Sequence, residues 1–268
     1  MGKISKRSGK YFAIFRIQLQ NRLVYRGDLL AGIISLLVFL WIFIQLWRAT
    51  YGAMGSGVIA GLTLSQTLWY LMMTESIQMS KSRMSRSISE AVKDGSIAYL
   101  LNKPYNFLLY QFSIGLADSL SRFGFNVLCG GALMGLLVSP PPDPRGWPMV
   151  LVCVLLALAL DFCIQALIGL AAFVSEDVSA FDWIVQKLIF IIGGMLIPID
   201  FFPDWLQKIS AVLPFSYAMY GPARLFVEPS LERFLNVLLG QVVWLGILGL
   251  ILATAYQRGV RRLSVNGG

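Results

Sequence analysis

The chain has 268 residues, of which 57% are hydrophobic and only 13% are charged, and its mean hydropathy is +0.69. Soluble domains carry about 45–50% apolar and about 25% charged residues, so this composition excludes an ordinary soluble domain. The chain contains no histidine, which excludes histidine-based catalysis, metal ligation and proton relays. Its net charge of +8 is better explained by the positive-inside bias of membrane proteins than by nucleic-acid binding, because the basic residues flank long apolar runs.

Further observations on cysteines and motifs limit the kinds of site that this chain can contain. The three cysteines, Cys129, Cys153 and Cys163, all lie inside apolar runs, where isolated cysteines are typical packing residues and predict neither a disulfide nor a metal site. The chain has no G-x-x-x-x-G-K-[ST] segment, so we expect no P-loop and no ATP binding in this chain. It also has no paired carboxylates that would indicate an enzyme. We therefore predict no catalytic, cofactor or metal site.

The N-terminal segment predicts an amphipathic helix. Apolar residues recur there at helical spacing between basic ones: Tyr11, Phe12, Phe15, Leu19 and Leu23. We expect residues 1–28 to form an interfacial helix on the inner membrane surface, either as a simple anchor or also in contact with a cytoplasmic partner. The long charged region and the apolar runs after it argue against a cleaved signal peptide.

Six apolar runs follow, and they predict an all-α membrane protein with six transmembrane helices. The runs are Leu29–Trp47, Val58–Ile77, Phe107–Val138, Trp147–Val174, Ile184–Ile199 and Phe234–Tyr256. No polar stretch is long enough for a soluble domain. The prediction is one domain over residues 1–268, with a core at 29–257, a cytoplasmic loop at 79–106 and a cytoplasmic tail at 258–268.

The basic residues orient this domain. They concentrate before the first run, between the second and third, and after the last: Lys3, Lys6, Arg7, Lys10, Arg16, Arg22, Arg26, Lys81, Arg83, Arg86, Lys93, Lys103, Arg258, Arg261 and Arg262. The positive-inside rule therefore places both termini in the cytoplasm.

The cytoplasmic loop after the second run predicts a docking element. Ser87 or Ser89 is a suitable N-cap for a short helix, and Gly95 is a suitable end for it. The apolar residues Ile97–Leu101 follow, before Pro104 ends the segment. An ordinary polar loop rarely contains such an apolar run close to the membrane, so we interpret this segment as a surface that docks onto a partner.

Four charged residues fall inside the runs: Glu75, Asp118, Arg122 and Asp161. A charge in the middle of the membrane costs about 2.5–3.5 kcal/mol, so pairing or contact with water is expected. Asp118 and Arg122 have the i, i+4 spacing of an intrahelical pair, and Asp161 is the alternative partner of Arg122. Glu75 is expected near the cytoplasmic end, within reach of water. These residues either lock helices together or take part in substrate passage or coupling.

The fifth run is interrupted. It has too few apolar residues before Asp200 to cross a bilayer as a straight helix, and Pro198, Pro203 and Pro214 break the backbone after it. The residues between the last two prolines have the apolar stripe of a short helix: Trp205, Leu206, Ile209, Val212 and Leu213. A broken span must be covered by protein or line a cavity, so this segment predicts re-entrant helices that act as a gate.

The loop E-A-V-K-D-G-S-I-A-Y-L-L-N-K-P and the segment G-G-M-L-I-P-I-D-F-F-P-D-W-L-Q…L-P-F-S-Y, together with six spans and the basic N-terminal helix, resemble ABC-2 type exporter permeases over residues 10–262. The loop is most similar to a bacterial branch with a separate ATPase and a second permease. The resemblance implies a bacterial inner-membrane subunit that is not itself an enzyme. Its implied partners are two copies of a P-loop ATPase carrying ATP and Mg, a second permease (homologous or identical), and lipid, with no nucleic acid.

The resemblance also implies residue roles. The residues that would contact the ATPase and couple it to transport are Glu90, Ala91, Val92, Lys93, Asp94, Gly95, Ile97 and Tyr99. The residues that would form the extracellular gate are Pro198, Phe201, Phe202, Pro203, Trp205, Leu206, Pro214 and Tyr217. The first, second and fifth spans would line a pathway between two permeases, and the apolar walls favour a hydrophobic or amphipathic substrate. The alternatives are a stand-alone secondary transporter, for which no inverted repeat is visible, a lipid-modifying enzyme, or a membrane scaffold.

Overall fold

A computed structural model of the chain describes residues 2–24, 26–82, 84–173, 175 and 178–266, most of them helical. The α-helices of this part are α1 (Gly2–Val24), α2 (Arg26–Met54), α3 (Leu64–Ser80), α4 (Met84–Lys93), α5 (Ser96–Leu101), α6 (Phe107–Leu137), α7 (Trp147–Leu170), α8 (Ser179–Ile191), α9 (Asp204–Val212), α10 (Pro214–Ala218), α11 (Tyr220–Val227) and α12 (Leu231–Asn266). Strands β1 (Val58–Ile59) and β2 (Leu62–Thr63) form one antiparallel hairpin. Short 3-10 helices lie at Pro144–Gly146, Ala171–Phe173 and Ile199–Phe201.

Within the described residues, 4 helices are long and apolar enough to cross a membrane: Leu30–Met54, Phe107–Leu137, Pro144–Phe173 and Leu231–Val260. They correspond to the first, third, fourth and sixth predicted spans. The predicted all-helical class is thereby confirmed. The second and fifth predicted spans are shorter helices, α3 and α8, with 17 and 13 residues.

The prediction that the second span begins at Val58 is wrong, because residues 58–63 form the β-hairpin. The hairpin turn uses Ala60 and Gly61, both with positive φ (47° and 80°), so the chain cannot continue as a helix there. Thr63 then starts α3 with a capping box: its hydroxyl accepts the N–H of Gln66, and the Gln66 side chain accepts the N–H of Thr63. This exchange satisfies two otherwise unpaired backbone donors at the start of the helix.

The fifth span also differs from its predicted bounds, Ile184–Ile199. Helix α8 begins earlier, at Ser179, and ends at Ile191. The chain then turns at Gly194, whose φ of 73° is in the left-handed region that favours glycine. Pro198 and the short 3-10 helix Ile199–Phe201 follow before α9.

Two hydrophobic clusters form the core, one toward each end of the molecule. The first cluster joins α2, α3, α11 and the first half of α7, up to Leu158. The second joins α4, α5, the second half of α7 from Leu160, and the later part of α12. Helix α7 therefore takes part in both clusters. Helix α1 packs along α6, so its surroundings include protein as well as the predicted membrane surface.

Candidate functional site

Helices α4 and α5 form a short helical hairpin, the α4–α5 hairpin, with a buried base. Met84, Ile88 and Ile97 are buried in the cluster that contains the second half of α7. Gly95 joins the two helices with φ 76°, which lets α5 turn back without the strain that a side chain would add. The predicted end of the first helix at Gly95 fits this turn. The helix starts earlier than predicted, at Met84 rather than at Ser87 or Ser89.

A glycine in α7 allows the α4–α5 hairpin to sit close. A Cβ atom at Gly169 would lie 3.0 Å from Cβ and Cδ1 of Ile88 and 3.3 Å from the backbone Cα of Ser85. Real Cβ contacts are seldom that short, so any larger residue would push α4 away from α7. The hairpin is thus packed closely against a helix that also takes part in the other core cluster.

The tip of the hairpin is exposed, and it contains most of the predicted coupling residues. The eight predicted residues divide into exposed Glu90, Lys93, Asp94, Gly95 and Tyr99, half-buried Ala91 and Val92, and buried Ile97. Ile97 therefore belongs to the base and does not present its side chain to a partner. Ala91 and Val92 also pack against the second core cluster, so changing them would disturb the chain's own core.

The tip presents charges of both signs and one exposed aromatic ring. Glu90 pairs with Arg86 at 2.9 Å, and the Lys103 ammonium lies 4.6 Å from the centroid of the Tyr99 ring. The pKa of Asp94 is lowered by hydrogen bonds from the side chain and backbone N–H of Ser96. Tyr99 is 69% exposed, and an exposed tyrosine among charges is typical of protein contact surfaces.

Helix α1 meets the chain just after the hairpin. Lys10 donates to the carbonyl of Pro104 at 3.2 Å, and the Tyr11 hydroxyl accepts the N–H of Asn106 at 2.9 Å. Asn106 in turn caps α6, because its side chain accepts the N–H of Leu109. The predicted interfacial helix and the predicted coupling loop are therefore joined directly.

The predicted gate residues lie together between the end of α8 and the end of α10, at residues 192–218, which we call the gate segment. Pro198 and Pro214 are buried, Phe201, Phe202, Leu206 and Tyr217 are half-buried, and Pro203 and Trp205 are exposed. Pro203 precedes α9 and Pro214 opens α10, as their lack of an N–H donor favours. The Phe201 ring packs 5.5 Å from Trp47 of α2, which ties this segment to the first predicted span.

Two buried side chains of α3 hold the backbone of the broken fifth span. The Tyr70 hydroxyl donates to the carbonyl of Gly194, and the Thr74 hydroxyl donates to the carbonyl of Met195 at 3.0 Å. These bonds satisfy two buried carbonyl groups of the non-helical stretch that follows α8. A broken span needs such cover within a membrane.

The sequence did not predict a network of charged residues that lies next to the gate segment. Arg224 Nε lies 3.3 Å from Asp200 Oδ1, and its Nη1 lies 2.6 Å from Glu228 Oε2. Tyr220 also donates to Asp200, at 3.2 Å, and Arg233 contacts Glu228 at 3.1 Å. The network borders a cavity of about 610 Å³. Only the i, i+4 spacing of Arg224 and Glu228 was visible in the sequence.

The charged residues predicted inside the spans occur mainly in pairs. Arg122 Nε lies 3.4 Å from Asp118 Oδ1, the first of the two predicted arrangements. Asp161 contacts Lys81 Nζ at 3.0 Å instead of Arg122, because Lys81 directly follows α3 and reaches across to α7. Glu75 is only 2% exposed, so it is buried where contact with water was expected.

In the described residues no group of three or more Cys, Asp or Glu side chains is arranged to hold a metal ion. A comparison with curated proteins found no match. The family described as "ABC-2 family transporter protein" matches residues 36–267, which include both the α4–α5 hairpin and the gate segment. The chain therefore belongs to the ABC-2 transporter family and is a multi-pass membrane permease component of an ABC transporter.

Proposed function

We propose that this chain forms half of the translocation pathway of an ATP-driven exporter, and that a separate P-loop ATPase drives it through the α4–α5 hairpin. The observation that carries the proposal is the contrast between the exposed tip and the buried base of this hairpin. A partner that pushes on the tip acts on α7 through Ile88 and Gly169. ATP and Mg then bind in the ATPase, which would be present in two copies, and a second permease completes the pathway.

This mechanism is alternating access driven by nucleotide binding. The ATPase pair closes on ATP and moves the two hairpins, and the shift between two permease arrangements carries the substrate outward. The gate segment around Phe201 and Tyr217 closes the outer end in the resting arrangement. The substrate is hydrophobic or amphipathic, since apolar side chains dominate the long helices.

The proposed topology has six crossings in the bacterial inner membrane, with both termini in the cytoplasm. Helix α3 is about 25 Å long, which is slightly short for a bilayer core of about 30 Å. Helix α8 is shorter still, and the segment that Tyr70 and Thr74 hold completes its crossing. Re-entrant helices α9 and α10 then return the chain to the outer surface.

The test is a mild-detergent pull-down of the chain from its native host with mass spectrometry of the bound proteins. We expect a P-loop ATPase and a second permease. The variant Tyr99→Ala should lower ATPase recovery by about tenfold, because exposed aromatic residues at protein contacts often contribute more than 1 kcal/mol. The matched control is Trp205→Ala, because Trp205 is an aromatic residue of similar exposure, 63%, outside the hairpin.

Unchanged ATPase recovery with Tyr99→Ala would place the docking surface elsewhere. Recovery of the chain alone, intact and folded, would contradict the ATP-driven function and favour a secondary transporter or a scaffold. The ion pairs Arg122–Asp118 and Lys81–Asp161 weaken the secondary-transporter alternative, since the charges that supported it are partnered within the chain.

A further inference from the structure

A second cavity, of about 430 Å³, lies close to the boundary between the two hydrophobic clusters. We refer to it as the polar cavity. Its wall is formed by residues of α2, α3, α4, α6, α7 and α8 and of the segment after α3, and its polar side chains include Lys81, Ser85, Arg122, Gln165, Asp182 and Gln186. Cavities of this size are typical of small-molecule sites. Arg122 and Gln165 bring polar groups to it from the long apolar helices α6 and α7, where ionisable side chains mark functional sites.

The carboxylates in and behind this wall already have donors. Asp182 Oδ1 accepts the Ser85 hydroxyl at 3.4 Å, and Asp182 Oδ2 accepts the Gln186 amide at 3.0 Å. Asp161, behind the wall, contacts Lys81 Nζ at 3.0 Å. The carboxylates are therefore occupied by the protein's own donors, whereas the side-chain oxygen of Gln78, which also lines the cavity, is buried without a hydrogen-bond partner in the described residues.

The charged donors of the cavity, in contrast, are only partly used. Lys81 and Arg122 are largely enclosed, with side-chain exposures of 10% and 18%. An ammonium and a guanidinium group each have more N–H bonds than a single partner uses. Arg122 meets Asp118 through Nε only, and in the part of the chain that the structure describes its two terminal nitrogens make no hydrogen bond. An enclosed site with surplus charged donors selects an acceptor-rich anion.

The neighbouring surface of α8 is apolar. Phe181 and Trp183 flank Asp182 and are 50% and 62% exposed, and Ile184 beside them is 51% exposed. A ligand whose head group occupies the polar cavity would therefore meet an apolar surface next to it. This arrangement suits an amphiphile better than a free inorganic anion.

We propose that the polar cavity binds the phosphate head group of an anionic amphiphile. This inference rests on the proposed transport function, because it names the substrate class that would enter the pathway from the inner membrane side. Lys81 and Arg122 hold the phosphate oxygens, Gln165 adds an amide donor, and the exposed face of α8 contacts the acyl chains.

The test measures lipid binding to the purified full chain in a neutral detergent by native mass spectrometry. The probes are dioctanoyl phosphatidate, dioctanoyl phosphatidylcholine, and inorganic phosphate as competitor. We expect phosphatidate to be retained in preference to phosphatidylcholine. Arg122→Gln should weaken phosphatidate binding by about tenfold, because it removes a charge-assisted donor. Arg145→Gln, at an exposed arginine outside the cavity, is the matched control and should bind normally.

A second variant covers the case in which Arg122→Gln fails to fold. Gln165→Leu leaves both ion pairs intact and should weaken binding by about fivefold, as expected for one neutral hydrogen bond. Equal retention of the two lipids, or normal binding by Gln165→Leu and Arg122→Gln, would overturn the proposal. Competition by inorganic phosphate at equal concentration would also overturn it, because the site would then serve a free anion. The assay contains no ATPase, so its failure and the failure of the proposed function are separate results.

Discussion

At the scale of single residues, Arg224 is a buried charge that contacts the gate segment through Asp200. Its side chain is only 8% exposed and contacts both Asp200 and Glu228. Removing one partner of a buried ion pair leaves the other charge uncompensated in a poorly hydrated place, and this cost exceeds the net stabilisation from the pair itself. The Asp200 carboxylate, with 19% side-chain exposure, would be in that position.

We therefore expect Arg224→Ala to lower the free energy of unfolding by about 3 kcal/mol. Arg233→Ala is the control, because Arg233 contacts the same network from a more exposed position, at 30%, and should cost less than about 1 kcal/mol. Thermal unfolding in detergent, followed by tryptophan fluorescence, measures both. The double variant Asp200→Asn, Arg224→Met should recover part of the loss. Equal losses for the two arginine variants, with no recovery, would show that the pair has no special role.

At the scale of elements, α10 and α12 meet where a glycine faces a ring. A Cβ atom at Gly240 would lie 2.0 Å from Cε1 of Tyr217. The next residue, Gln241, donates to the carbonyl of Tyr217 at 2.9 Å and to the carbonyl of Cys153 at 2.8 Å. One position in α12 thus fixes both α10, with its predicted gate residue, and α7.

Gly240→Ala should therefore destabilise the protein by about 1–3 kcal/mol, since the ring must move out of a packed site. Gly246→Ala in the same helix meets nothing within 4 Å, so we expect it to be neutral or slightly stabilising. Both can be compared by thermal unfolding in detergent. If the two variants unfold at the same temperature, the close packing of α10 on α12 is not what holds the gate segment.

The elements also show which parts of the fold the sequence could predict. Apolar length alone located the four longest helices, because a bilayer requires long apolar runs. It failed at the start of α3, where Val58 and Ile59 are as apolar as any helical residue but belong to a hairpin. The capping pair Thr63 and Gln66 was the available signal for the true start. Proline positions indicated that the fifth run is broken, since the backbone effect of proline is local, but the break was expected near Pro198 and α8 already ends at Ile191.

The candidate sites, like the helices, were predictable only where they depend on residues close together in the sequence. Local signals gave a short helix that ends at Gly95 and the Asp118–Arg122 pair, because both depend on residues a few positions apart, but they did not give the second helix of the hairpin, α5. The contacts of Asp200 with Arg224 and of Lys81 with Asp161 join residues far apart in the chain, and spacing says nothing about them. The sequence also did not show which hairpin residues are exposed and which are buried, because packing against α7 determines their exposure. For this reason the resemblance includes Ile97 among the coupling residues although its side chain is buried in the base of the hairpin.

At the scale of the whole molecule, the number of crossings decides which end of the protein meets the ATPase. The α4–α5 hairpin lies at one end of α7 and the loop containing Arg145 precedes its other end. With six crossings and cytoplasmic termini, the hairpin is cytoplasmic and Arg145 is outside. If only the four long helices crossed, α3 would not return the chain, and the two positions would exchange sides.

Labelling of single cysteines distinguishes these topologies directly. Ala98→Cys places a thiol on the exposed part of the hairpin, and Arg145→Cys places one in the opposite loop. In intact cells whose outer membrane is permeable, a membrane-impermeant maleimide should label Arg145→Cys and spare Ala98→Cys until the inner membrane is opened. The parent chain is the control, because Cys153 and Cys163 are buried and Cys129 is partly covered. The reverse labelling pattern would move the hairpin outside, where no ATPase could reach it, and the coupling role would fail with the six-crossing topology.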